Sequence, residues 1–144
     1  MPTNEEKTPT TINKVNYIYN QYLTKSARDY RLKFFKQLTN NYITNMSIPA
    51  YSLCITLVTI LNKRNVYISK CLCAQEAYMT LDSIEKELFD LKFKANTSTE
   101  QICAATNMIP RTMFRKLNKT CKTFINAYNR ALITIGLKGE EDNE

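Results

Sequence analysis

Six basic side chains, Arg111, Arg115, Lys116, Lys119, Lys122 and Arg130, fall between Pro110 and Arg130 with no acid among them. Guanidinium groups form paired hydrogen bonds with guanine edges, and ammonium groups neutralise phosphates, so such a run is a polyanion-binding pattern. A second chemistry is offered by five cysteines, Cys54, Cys71, Cys73, Cys103 and Cys121. Thiolates bind metals or attack electrophiles. Here their number is odd, Cys71 and Cys73 are separated by one residue, and the chain has no histidine. That removes the usual zinc-finger arrangements and every His-based catalytic triad. With no paired-carboxylate cleft either, no catalytic group can be nominated. The expectation is a protein that is not an enzyme, holds no metal and no cofactor, and uses its thiols as small core residues.

The elements around the basic run have recognisable punctuation. Thr80 is read as the N-cap of a helix over LDSIEKELFDLKF, with Leu81, Ile84, Leu88, Leu91 and Phe93 on one side. Asp82 and Glu85 suit the positive end of its dipole. Thr97 or Ser98 caps a short helix over about 98–106, with Glu100 or Gln101 placed to complete a capping box. Asn107 stands at the following turn, where a residue tolerant of positive φ is wanted. Pro110 opens a long helix that Gly136 stops near Ile135. At about 100° per residue, Met113, Leu117, Cys121, Phe124, Tyr128 and Ala131 share a buried stripe, and Arg111, Arg115, Asn118 and Lys122 share the opposite face.

Upstream, Met1–Thr11 is polar with two prolines and is expected to be disordered. Helical spacing begins at Ile12 (Val15, Ile18, Tyr19, Tyr22, Leu23) and resumes after Ser26, a candidate cap, with Tyr30, Phe34, Phe35, Leu38, Tyr42 and Ile43. Ser47 and Pro49 suggest a third helix to about Lys63, Asn62–Asn65 a turn, and 66–79 a fourth helix whose Tyr67, Ile68, Cys71, Leu72, Tyr78 and Met79 are mostly buried. The apolar stretch Ile48–Leu61 is 14 residues long. A membrane span needs about 20, so it is read as a buried core helix. Only two glycines and four prolines are present, too few for the turns of sheets, and the fold class expected is all-α. Net charge is +7, with nine Lys/Arg against the single acid Asp29 between Ile12 and Cys73. Acids collect instead at Asp82–Asp90 and in the tail. The first eleven residues lack the apolar core of a signal peptide, so reduced thiols and a cytoplasmic protein with no membrane partner are expected.

LDSIEKELFDLKF…TSTEQICAATNMIPRTMFRKL resembles the DNA-binding region 4 of bacterial sigma-70-type factors. The agreeing positions are Leu81, the helix ending Leu91-Lys92-Phe93, Ile102 with its small neighbour Cys103, Met108, Thr112-Met113 and Leu117. The long basic helix trailing to Ala131-Leu132 and Ile135-Gly136-Leu137 is also similar to phage late-gene transcription activators of the ArpU and RinA kind. Thr106 stands where a large apolar residue is usual, and Asn107 where glycine is. No region 2 signature with a tryptophan-bearing melting segment occurs, so the likeness is to a sigma-like regulator rather than a complete sigma factor.

The resemblance implies a helix-turn-helix over 80–137 with a long recognition helix, preceded by a helical unit over 12–79 and followed by an acidic tail, 138–144. It implies that Arg111, Arg115 and Asn118 face base edges with Thr112 and Phe114 at the rim. Lys116, Lys119 and Lys122 then bind phosphate, helped by Ser98, Thr99 and Gln101 at the start of the short helix. The expected function is a sequence-specific regulator of transcription that binds double-stranded DNA, its N-terminal helices either contacting RNA polymerase or forming a homodimer. The alternative is a helical interaction module whose basic face docks an acidic protein, and the blander reading of that face is simple solvation. Tyr17, Tyr19, Tyr22, Tyr30, Phe34 and Phe35 are read as core or a dimer seam rather than a stacking platform for single strands.

Overall fold

The computed structural model describes residues 3–44 and 47–139, with side chains of the first helix described from Thr11 onward. Among these residues the only regular structure is helical, as the scarcity of glycine and proline predicts. Helix α1 (Thr3–Ile18) runs into a π-helical turn (Tyr19–Leu23) and is followed by α2 (Lys25–Ile43) and α3 (Ala50–Met79). A short α4 (Ser83–Phe89) ends in a second π-helical turn (Asp90–Lys94), and α5 (Thr99–Thr106) precedes the long α6 (Pro110–Thr134).

Several expected boundaries shift. The backbone is helical from Thr3. Among the described side chains the first buried one is Val15. Thr24 rather than Ser26 caps α2, its Oγ1 accepting from the Ala27 N–H at 3.3 Å. Pro49 lies just outside α3 as its N-cap residue, its extended ψ directing the chain into the helix, where Ser47 was expected at that position. The turn expected at Asn62–Asn65 does not form. Ile60 and Tyr67, two turns apart on one side of α3, are both buried, and their packing carries the helix through. Thr80 closes α3 instead of opening α4, its hydroxyl donating to the Ala77 carbonyl at 2.7 Å. Asp82 is the cap of α4, in a reciprocal box with Glu85.

The π-turn after α4 rotates the side chains that follow. Phe89 and Phe93 are both buried with ring centroids 4.9 Å apart, while Ile84, expected on the inner side, is exposed. In the second half of α3 the buried residues are the small Cys73, Ala74 and Ala77 with Tyr67 and Cys71, whereas Leu72 and Met79 face outward. Helix α6 packs against α3, and small side chains permit a close crossing.

The core is continuous across the boundary expected at Thr80. Helix α6 packs on α1 and α3 as well as on α4 and α5. A chain of rings joins the two halves of the sequence: Phe35 to Tyr67 (6.5 Å), Tyr67 to Tyr22 (5.7 Å), Tyr22 to Tyr128 (6.3 Å), Tyr128 to Phe124 (6.3 Å) and Phe124 to Phe89 (5.0 Å). Buried residues of segments 12–79 and 80–137 belong to one hydrophobic cluster. No helix is long and apolar enough to cross a membrane among the described residues.

Candidate nucleic-acid interface

Ser98 and Gln101 form the expected capping box of α5. Ser98 Oγ accepts from the Gln101 N–H and Gln101 Oε1 accepts from the Ser98 N–H, both at 3.3 Å. Ile102 is buried, and Thr106 is accommodated in place of a larger apolar residue because its hydroxyl donates to the Ile102 carbonyl at 2.7 Å. Asn107 takes the left-handed conformation, φ +58°, and its N–H donates to the Cys103 carbonyl. Asparagine adopts this region more readily than other residues with a Cβ, so the turn closes without glycine. A second left-handed asparagine, Asn96 at φ +52°, ends the π-turn before α5 and was not anticipated. Its signal is the same residue type just past a helical run.

Pro110 then starts α6 as expected, where its missing N–H costs no helical hydrogen bond. The far end closes in a Schellman motif, with Gly136 at φ +87°, its N–H donating to the Ile133 carbonyl and that of Leu137 to the Leu132 carbonyl. Between these ends the buried stripe is Met113, Leu117, Thr120, Cys121, Phe124, Tyr128 and Leu132. Ala131 is half-buried beside it, because the stripe drifts round the helix toward Leu132.

The opposite face carries the candidate site. Arg111, Arg115, Lys119 and Lys122 are exposed, as are Phe114, Ser98 and Gln101. Arg111, Arg115 and Lys122 lie within about 40° of one another around the helix and span about 16 Å along it. Among the described residues no acid forms an ion pair with these cations. Thr112, Lys116 and Thr99 are half-buried, nearer the flank than the crest. Asn118 departs further from an outward reader: it is half-buried, and its Oδ1 is shielded from solvent with no hydrogen-bond partner. The helical wheel places its Cα beside Arg115, but the amide oxygen is turned away from water.

Three of the five thiols fit the expected role of small core residues, whereas Cys54 is exposed and Cys103 half-buried. Cys71, Cys73 and Cys121 are buried, and burial raises the pKa of all three, that of Cys121 to about 12. Such thiols stay protonated and are poor nucleophiles. No cluster of His, Cys, Asp or Glu that could hold a metal occurs among the described residues. Two open grooves are present, one of about 490 Å³ between α3 and α6 around Cys73, Glu76, Arg130 and Ile135, the other of about 510 Å³ between α2 and α3 around Lys33, Lys36, Leu61 and Arg64.

No protein-family model, curated protein or solved structure matches the chain.

Proposed function

We propose that the protein is a sequence-specific, double-stranded-DNA-binding regulator of transcription, sigma-like in mode, with α5 and α6 acting as a helix-turn-helix in the cytoplasm. One observation carries this reading. The N-terminal half of α6 presents Arg111, Arg115, Lys119 and Lys122 to solvent, with no ion pair to an acid among the described residues, directly after a capped short helix and a left-handed turn. An α-helix fits the major groove, with arginines at base edges and lysines at phosphates. In this reading Arg111 and Arg115 discriminate bases, Thr112 and Phe114 border them, and Lys116, Lys119 and Lys122 clamp the backbone. Ser98, Thr99 and Gln101 approach a phosphate from the start of α5. Asn118 contributes less than the arginines because its oxygen is not available.

Fluorescence anisotropy with a random duplex across a salt series tests the proposal. Affinity should fall steeply as salt rises, since each neutralised phosphate releases counterions. No binding at low salt would end it. A second reading, docking on an acidic protein, is favoured by Ile109 and Phe114, which are exposed next to Arg111. It predicts no anisotropy change with duplex but binding to an acidic amphipathic peptide. If DNA binding holds, purified RNA polymerase is the next partner to test by co-sedimentation.

A further inference from the structure

The stretch Ile48–Leu61, expected to be a buried core helix, is largely exposed to water. Within α3 only Ile60 of this stretch is buried, at 6 % exposure, because α2 covers a single side of it. On the opposite side Tyr51, Ile55 and Val58 are 78, 52 and 55 % exposed, Cys54 is exposed among them, and Leu61, 48 % exposed, edges the strip where it meets the groove between α2 and α3. At about 100° per residue these five lie within roughly 120° of arc, one continuous face about 15 Å long. Apolar side chains so concentrated on a water-facing helix mark a surface that something covers.

We propose that this face of α3 is covered by the same face of a second copy, forming a symmetric homodimer. Three observations choose that occupant. Between Ala50 and Asn62 the helix carries no charge at all, so two protein molecules of net charge +7 can meet here without opposing like charges. The strip itself offers an acidic peptide no cation; Lys33, Lys36 and Arg64 lie in the groove beyond its Leu61 edge. The exposed side chains amount to on the order of 450 Å², about the apolar share of a standard interface of roughly 800 Å² per partner. Finally, the hydroxyl of Thr59, beside the strip, already donates to the Ile55 carbonyl at 3.0 Å, so covering it strands no donor. A two-fold axis across α3 brings identical apolar strips together, which satisfies the self-complementarity an isologous interface requires.

The seam differs from the one the sequence suggested. Of the six aromatics read as core or dimer seam, Tyr22 and Phe35 are in the core, Tyr19 is half-buried, and Tyr17, Tyr30 and Phe34 lie on α1 and α2 away from the α3 strip. The dimer stands apart from the DNA-binding proposal, since it uses no residue of the basic face.

Sedimentation equilibrium of the full chain from about 1 to 100 µM, the range of a micromolar Kd, tests it. Wild type should reach twice the 16.7 kDa chain mass, as strongly in high salt as in low. Val58→Glu should stay at the chain mass throughout, a weakening of at least about 30-fold. Circular dichroism should show its helicity unchanged, because the side chain faces water in the protomer. Ile133→Glu, at an equally exposed apolar position on α6, should still dimerise. A wild type that remains at the chain mass, or a Val58→Glu dimer of wild-type strength, overturns the proposal. So does a monomeric wild type that floats with phosphatidylcholine vesicles, which would give the face to lipid instead.

Discussion

Helices α3 and α6 are the longest in the protein, 30 and 25 residues, and they pack against each other, yet their water-facing sides are opposite in character. The outer face of α6 is basic, and its inner stripe is apolar from Met113 to Leu132. The first half of α3 is apolar on nearly every side, and only one of those sides is used. Segregated faces tell a helix which way to sit before any partner arrives. An unsegregated helix leaves that choice to whatever packs on it first, and α2 takes one side only. The two surfaces suit the two kinds of cover proposed for them: a polyanion held by salt-sensitive attraction, and an apolar surface held by exclusion of water.

The contrast can be broken hardest from inside. Phe124 is fully buried between Phe89 and Tyr128, and Phe124→Ala should cost about 3–5 kcal/mol by urea unfolding, weakening the whole fold rather than the basic face alone. On α3 the same residue type, five positions apart, should give divergent answers. Ile60→Ala should cost about 2–4 kcal/mol and Ile55→Ala less than about 0.5 kcal/mol when measured at concentrations that keep the protein monomeric. Equal losses at the two positions would mean that the outer side of α3 is already covered within the protomer.

The outer face of α6 divides more finely. Arg115→Ala should cost about 1–3 kcal/mol on a selected site and little on random duplex, relaxing sequence choice. Lys119→Ala should weaken both equally and lower the slope of log affinity against log salt by about one. If both variants bind like wild type, α6 is not the reading helix. Asn118→Leu should raise stability by about 1 kcal/mol, because it removes a shielded acceptor without a partner, and thermal melting would show it. A smaller effect follows pH. With no histidine in the chain, stability should be flat from about pH 6 to 8. Burial lifts the Cys121 thiol from 9.0 and the Tyr67 phenol from 10.0, each to about 12. The folded chain therefore keeps protons that the unfolded chain releases. The stability this confers is complete below about pH 9 and is lost progressively as pH climbs toward 12.

Legibility in the sequence followed the same division. The all-helical class, the Ser98–Gln101 box, the left-handed Asn107, the stop at Gly136 and the inner stripe of α6 could be read because caps and periodicity are local signals. Where periodicity was missing, reading failed: a run that is apolar all round, such as Ile48–Leu61, does not say which side is covered. The π-turn at Asp90–Lys94 likewise left no mark in residue types, though it decides that Phe89 and Phe93 point inward together. Nor could a helical wheel report that the oxygen of Asn118 turns inward, because that depends on what packs beside it.

The inner stripe of α6 also sets the pace at which its outer face can move. Seven buried side chains anchor the helix along its length, so its backbone has little freedom to open except when the entire fold does. In hydrogen–deuterium exchange the amides between Met113 and Leu132 should be the last to exchange, well after those of the eight-residue α5. Arg115, Lys119 and Lys122 thus ride on a rod already straightened. A ligand that docks there needs to still only the ends of their side chains.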